Sequence, residues 1–156
     1  MEKLVRDRIP EIILADLEMP ITHIANDEEF TEVLKTKLLE EIEEFIEKPS
    51  AEEAADIMEV LYAIFALNEF YLEEIRELGQ NYYISADREV LKFMAHERAE
   101  DFLENQNLKK AASIIQFFYT FFTSENLDLE EVEKARQAKR EERGGFEKRI
   151  ILERIE

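Results

Sequence analysis

Glu41, Glu44, Glu53 and Asp56 are the residues of this chain whose types and spacing could do chemistry together. Glu41 and Glu44 lie three apart near the end of one apolar-periodic run, and Glu53 and Asp56 lie three apart at the start of the next. Each pair therefore shares one face of its helix. Between the runs, Lys48-Pro49 ends the first helix and Ser50 can cap the second, which predicts an antiparallel hairpin on which the carboxylates converge. Like charges crowded in a poorly hydrated place either take up protons or hold a cation. An all-oxygen ligand set suits a hard ion, Mg²⁺ with Mn²⁺ as a substitute, in the kind of site that is shared with substrate phosphates.

Context separates this quartet from solvated charge. Random placement of 38 acidic residues among 156 gives about nine pairs at this spacing, so spacing alone decides nothing. The run Ala54 to Leu67 is apolar nearly all round, which marks a buried helix, and Glu53 and Asp56 share a stripe with Val60, Ala63, Ile64 and Leu67. Glu59 is the only other charge in that run. Glu40 and Glu43 have the same spacing but point away from Leu38, Ile42 and Phe45, as solvated residues do. Glu53 also completes a Ser-x-x-Glu capping box with Ser50, a structural task that competes with metal binding.

The elements that must position these groups are helices. With 37% charged and 46% hydrophobic residues, and only 3 Gly and 3 Pro, the composition is that of amphipathic helices packed together in one domain over residues 1–156. The expected class is all-α, an antiparallel helical bundle with short extended segments near both termini. A net charge of −18 argues against nucleic acid and anionic membranes as partners, because both need a basic face. The absence of cysteine excludes disulfides and thiol catalysis, and MEKLVRDR contains no apolar signal core; a soluble cytoplasmic protein is expected.

Along the chain, Lys3, Arg6 and Arg8 cluster before Pro10, which fits the first turn of a short helix; the cluster is either a docked arm with surface charge or an anion contact. Pro20 to Ala25 reads as a short extended segment with His23 on its surface. Asp27 can cap a helix from about Glu28 to Glu47, whose main stripe is Leu34, Leu38, Ile42, Phe45 and Ile46. A second stripe, Phe30, Val33, Lys37, Glu41 and Glu44, implies a cover supplied by substrate or another subunit. The next helix is expected to run from Ser50 to about Glu74, or to Leu78 before Gly79. Gln80 to Tyr83 reads as a polar-aromatic junction, followed by helices over Asp87 to Glu104, with His96 on the surface, and Leu108 to Thr123. The latter carries Phe117, Phe118, Tyr119, Phe121 and Phe122, for packing or for an aromatic nucleobase pocket. Asp128 to Glu131 is a second capping box, opening a last helix to about Arg143. Lys139, Arg140 and Arg143 lead from it into Gly144-Gly145, which either lets backbone and cations approach an anion or simply stops the helix. Phe146 to Leu152 then reads as a short strand.

In this order the segments KLVRDRIPEII, KLLEEIEEF, EEAADIMEVLYAI and KREERGGFEKRIIL resemble the all-α NTP pyrophosphatase superfamily, the MazG-like enzymes, and within it the small proteins labelled phosphoribosyl-ATP pyrophosphohydrolase-like. The resemblance covers roughly residues 1–75 and 126–156, with a helical insertion at about 76–125 that is free to serve as lid, substrate pocket or interface. It implies Mg²⁺ held by Glu41, Glu44, Glu53 and Asp56, and hydrolysis of a nucleoside triphosphate or related nucleotide between the α and β phosphates. It also implies assembly as a homodimer or higher homo-oligomer. Lys3, Arg6, Arg8, Lys139, Arg140 and Arg143 are the phosphate candidates, since basic clusters at opposite termini can meet over one site. The alternative is a catalytically silent helical protein that binds a nucleotide or a protein partner through the inserted helices.

Overall fold

Asn26, Ser50, Asp87, Asn107 and Asp128 each place a side-chain oxygen on a backbone N–H of the helix that follows, and these caps set the starts of the five long helices. A computed structural model describes residues 2–79 and 86–156. In chain order these form β1 (Lys3–Leu4), α1 (Ile9–Ala15), β2 (Pro20–Ile24), α2 (Asp27–Glu47), α3 (Ala51–Leu67), α4 (Leu72–Gly79), α5 (Arg88–Glu104), α6 (Leu108–Ser124), α7 (Leu129–Arg143) and β3 (Ile150–Ile155). The architecture is a helical bundle with a small three-stranded antiparallel sheet. The junction expected at Gln80 to Tyr83 lies outside the described residues.

Boundaries differ from the sequence expectation in several places. The cap of α2 is Asn26, not Asp27: the helix begins one residue early, and Asp27 becomes its first residue, paired with Arg149 at 2.5 Å. The helix expected from Ser50 to Glu74 is two helices. α3 stops at Leu67 because Glu69 turns left-handed (φ 59), while Glu69 N–H donates to Ala66 O and Phe70 N–H to Phe65 O. That pair of bonds is a Schellman motif, built without the glycine that usually announces it. The last strand starts at Ile150 instead of Phe146, since Arg149, also left-handed (φ 57), closes a turn onto Phe146 O.

One continuous core runs through the bundle. Leu34, Leu38, Ile42 and Phe45 of α2 face Ile57, Leu61, Ile64 and Phe65 of α3. The aromatics of α6 are buried in it: Phe45 meets Phe121 and Phe122 edge-on, with ring centroids 5.2 and 5.1 Å apart, and Phe65 meets Phe102 of α5 at 5.8 Å. Thus α4, α5 and α6 complete the core of the α2–α3 hairpin.

The sheet closes the opposite side. Its order is β1-β3-β2, so the last strand sits between the two near the amino terminus, pairing Leu4 with Ile151 and Thr22 with Leu152. The arm after β1 continues along the end of α7: Asp7 N–H donates to Gly145 O and Arg8 N–H to Arg143 O, both at 2.8 Å. The second stripe of α2 is therefore covered in part by the chain's own termini.

Candidate active site

The α2–α3 hairpin brings Glu41, Glu53 and Asp56 together, with one carboxylate oxygen of each within 4.8 Å of the others. Glu41 is 6% exposed, whereas Glu53 and Asp56 are half-buried. Glu44 is exposed at the rim, near enough to Glu53 for its charge to be felt there. Local structure explains the convergence. Ser50 Oγ accepts the Glu53 N–H at 3.1 Å and fixes the first turn of α3, but Glu53 Oε2 does not return the bond that would complete a capping box.

The electrostatics are those of carboxylates short of partners. Glu41 Oε2 and Glu53 Oε2 are both buried without a hydrogen bond among the described residues. Burial, reinforced by the charges of Asp56, Glu44 and Glu53, pushes the Glu41 carboxyl up to about 7, against the opposing pull of Lys37, whose Nζ lies 3.5 Å away. Burial, then Asp56 and Glu44, raises Glu53 as well. Unsatisfied buried carboxylate oxygens are costly, and a divalent cation is the ligand that would satisfy several at once. The donor set fits Mg²⁺ or Mn²⁺.

Asp56 is different, since both of its oxygens carry cations: Arg6 Nη2 donates to Oδ1 at 2.9 Å and Lys139 Nζ to Oδ2 at 2.8 Å. Arg6 reaches it from the amino-terminal arm, braced by a bond to Gly144 O at 3.1 Å, and Lys139 reaches it from α7. A cavity of about 320 Å³ opens over Glu41 and Asp56, and Lys3, Arg6, Lys37 and Arg143 stand in its wall. Cations from both ends of the chain and from α2 therefore surround one acidic floor. Such a cavity can hold an anion and a cation together.

Two of the proposed phosphate contacts lie elsewhere. Arg8 turns away, donating to Glu11 at 2.6 Å and to Glu141 O at 2.5 Å, so it fastens the arm to α7. Arg140 points one turn beyond Asp56 on α3, to Glu59, and to Glu147 after α7. Gly144 N–H donates to Arg140 O and so closes the helix. His23 bridges Glu29 and Glu153, and His96 reaches Glu43 at 2.5 Å, both away from the acidic floor.

Sequence reading missed Lys37 as a cation of the cavity, and it missed the role of Glu59. Glu59 is 2% exposed and is held by Arg136 Nη1 at 2.8 Å and by Arg140. A signal was present: Glu59 stands one turn beyond Asp56 in an otherwise apolar run, and Arg136 and Arg140 are four apart on α7. Compared with protein-family models, with curated proteins and with solved structures, the chain finds no match in any of the three.

Proposed function

We propose that this chain is a Mg²⁺-dependent nucleotide pyrophosphohydrolase, cleaving a nucleoside triphosphate or related nucleotide between the α and β phosphates. The observation that carries the reading is the pair of buried oxygens on Glu41 and Glu53 that have no partner among the described residues, beside Asp56 and next to a cavity whose wall carries Lys3, Arg6, Lys37 and Arg143. The likeness of four segments to the MazG-like enzymes supports it. Glu41, Glu53 and Asp56 would hold Mg²⁺ (or Mn²⁺), which when bound polarises the phosphate and acidifies the attacking water. Water forms a bond to the α phosphorus, the bond from that phosphorus to the bridging oxygen breaks, and pyrophosphate leaves. Glu44, the exposed member of the quartet, takes the water's proton. Arg6 and Lys139, which hold Asp56 in the folded chain, would turn to the phosphate oxygens and leave Asp56 free as a ligand, with Lys3, Lys37 and Arg143 adding charge in the cavity wall. Among the described residues no helix is long and apolar enough to cross a membrane. A cytoplasmic site of action, with neither nucleic acid nor membrane as partner, belongs to the same proposal. So does assembly as a homodimer or larger homo-oligomer, supported by Leu14, Leu17, Met19, Ile24 and Ile155, apolar and exposed around α1 and the sheet.

One observation favours a second reading, a silent protein that binds a nucleotide or a partner: Asp56 is already neutralised by Arg6 and Lys139. Pyrophosphate release separates the two. It is measured on canonical and modified nucleoside triphosphates and on phosphoribosyl-ATP, with and without Mg²⁺, for the native chain and Asp56→Asn. Mg²⁺-dependent release that falls by about a hundredfold or more in the variant is expected. Silence across the panel with nucleotide binding intact selects the second reading.

A further inference from the structure

A second cavity, of about 290 Å³, lies one turn of α3 beyond the acidic floor, between α2, α3 and the α7–β3 link. Its walls are largely apolar, with aromatic rings from three separate elements: Phe30 of α2, Tyr62 of α3 and Phe146 after α7. One polar edge is built into it. Glu59 is buried there and anchored by Arg136 at 2.8 Å, and Arg140, which also lines the cavity, bridges Glu59 to Glu147. Each carboxylate oxygen keeps a second lone pair and the guanidinium keeps unused N–H groups, so this edge can accept from one ring atom and donate to its neighbour. Apolar walls with a few fixed polar groups are the build of a small-molecule pocket.

The two cavities share a wall. Phe146 lines both, and the Arg6 guanidinium that bonds Asp56 lies 5.4 Å from the centre of its ring. Asp56 and Glu59 stand three apart on α3, about 5 Å along its axis, a spacing that one sugar can bridge. We propose that this second cavity holds the nucleobase of the substrate, its faces against Phe30, Tyr62 and Phe146 and its hydrogen-bonding edge on Glu59 and Arg140. The inference takes its phosphate end from the pyrophosphohydrolase reading. It narrows the substrate class to nucleotides with an intact planar base, and it gives Glu59 and Arg140 a role in specificity.

Ala66 and Ala63 line this cavity and lie outside the acidic floor, so Ala66→Leu and Ala63→Leu fill it with a good helix former while leaving the proposed metal ligands in place. ATP, GTP, CTP and UTP are compared with base-free ribose 5-triphosphate in Mg²⁺, and circular dichroism verifies each fold. The ratio of kcat/KM for the preferred nucleotide to that for the base-free compound should fall about ten- to hundredfold in the filled variants, the factor that loss of base stacking corresponds to. An unchanged ratio overturns the proposal. If the native chain hydrolyses nothing, the pyrophosphohydrolase reading fails by itself, and the pocket is tested by equilibrium binding of the same compounds with Ca²⁺ in place of Mg²⁺. Nucleotide affinity that drops by the same factor in the variants, with ribose 5-triphosphate affinity held, sustains the pocket. Equal nucleotide binding by native and filled chains, or no binding to the native chain, overturns it.

Discussion

Glu41 and Glu53 each bury an oxygen that nothing among the described residues satisfies, and this cost is set against the folded state whenever no cation is bound. A metal that enters only the folded site stabilises it by mass action, by about 2.7 kcal/mol once the free ion exceeds its Kd a hundredfold. Millimolar Mg²⁺ should therefore raise the Tm of the native chain above its value in NaCl of equal ionic strength. Glu41→Gln, which removes one charge from the cluster, should be more stable than the native chain without Mg²⁺ and should lose the Mg²⁺ increment. An equal increment in both proteins would place the ion elsewhere. Glu59 behaves oppositely, since Arg136 and Arg140 already satisfy it; its removal takes one acceptor from the buried Arg136, while Glu133 and Glu147 still pair the two arginines. Glu59→Ala should cost about 1–3 kcal/mol, read as a lower urea midpoint at constant slope. The convergence of Glu41, Glu53 and Asp56 was legible because their spacing falls beside an apolar run, whereas Glu44 stands exposed at the rim. The Glu59–Arg136 pair was only half legible: a lone charge in an apolar run marked Glu59 as needing a partner, but that partner is 77 residues away and local periodicity does not say which helix supplies it.

At the scale of elements, capping residues made the starts of the helices readable, whereas their ends were less so. Leu17, Glu69 and Asn126 all adopt positive φ (64, 59 and 63) at helix C-termini, and none of them is a glycine. Leu17 does so while 95% exposed, so no burial pattern marks it either. The short strand β2 was visible from its alternation, and its anchor is His23. Nδ1 faces Glu153 at 2.8 Å and Nε2 faces Glu29 at 2.9 Å, with Glu2 at 3.8 Å, so one imidazole ties β2 to β3 and to the first turn of α2. The hydrogen bonds to Glu29 and then Glu153 raise the His23 pKa above the ordinary value of 6.5. Because the folded-state value is the higher one, the stabilisation is complete below about pH 6.5 and is lost as pH rises through the folded-state pKa. The His23 ring signals should titrate above the usual histidine range by NMR. Stability should decline across that interval in the native chain and not in His23→Gln; parallel pH profiles would show that the imidazolium does not hold the strand.

For the whole molecule, the decisive step is the return of the carboxyl terminus to the amino terminus, which composition hinted at only through basic clusters at the two ends. Gly144 is the hinge of that return. Its φ of 83 with ψ of −179 belongs to a region essentially reserved for glycine. A Cβ there would sit 3.0 Å from Asp7 Cβ and 3.2 Å from Arg8 N, in the seam where the arm bonds Arg143 O and Gly145 O. Gly144 O also receives Arg6, the residue that reaches Asp56. Gly144→Ala therefore strains the backbone and the docking of the arm together. Stability should fall by about 1–3 kcal/mol. If the proposed chemistry holds, KM for the nucleotide should rise as well, because Arg6 loses its brace at the mouth of the cavity. A variant with unchanged stability would show that the ends are held by the sheet alone. One with lower stability and unchanged KM would separate the docking of the arm from the binding of phosphate, and would leave Lys139 as the cation that matters at Asp56.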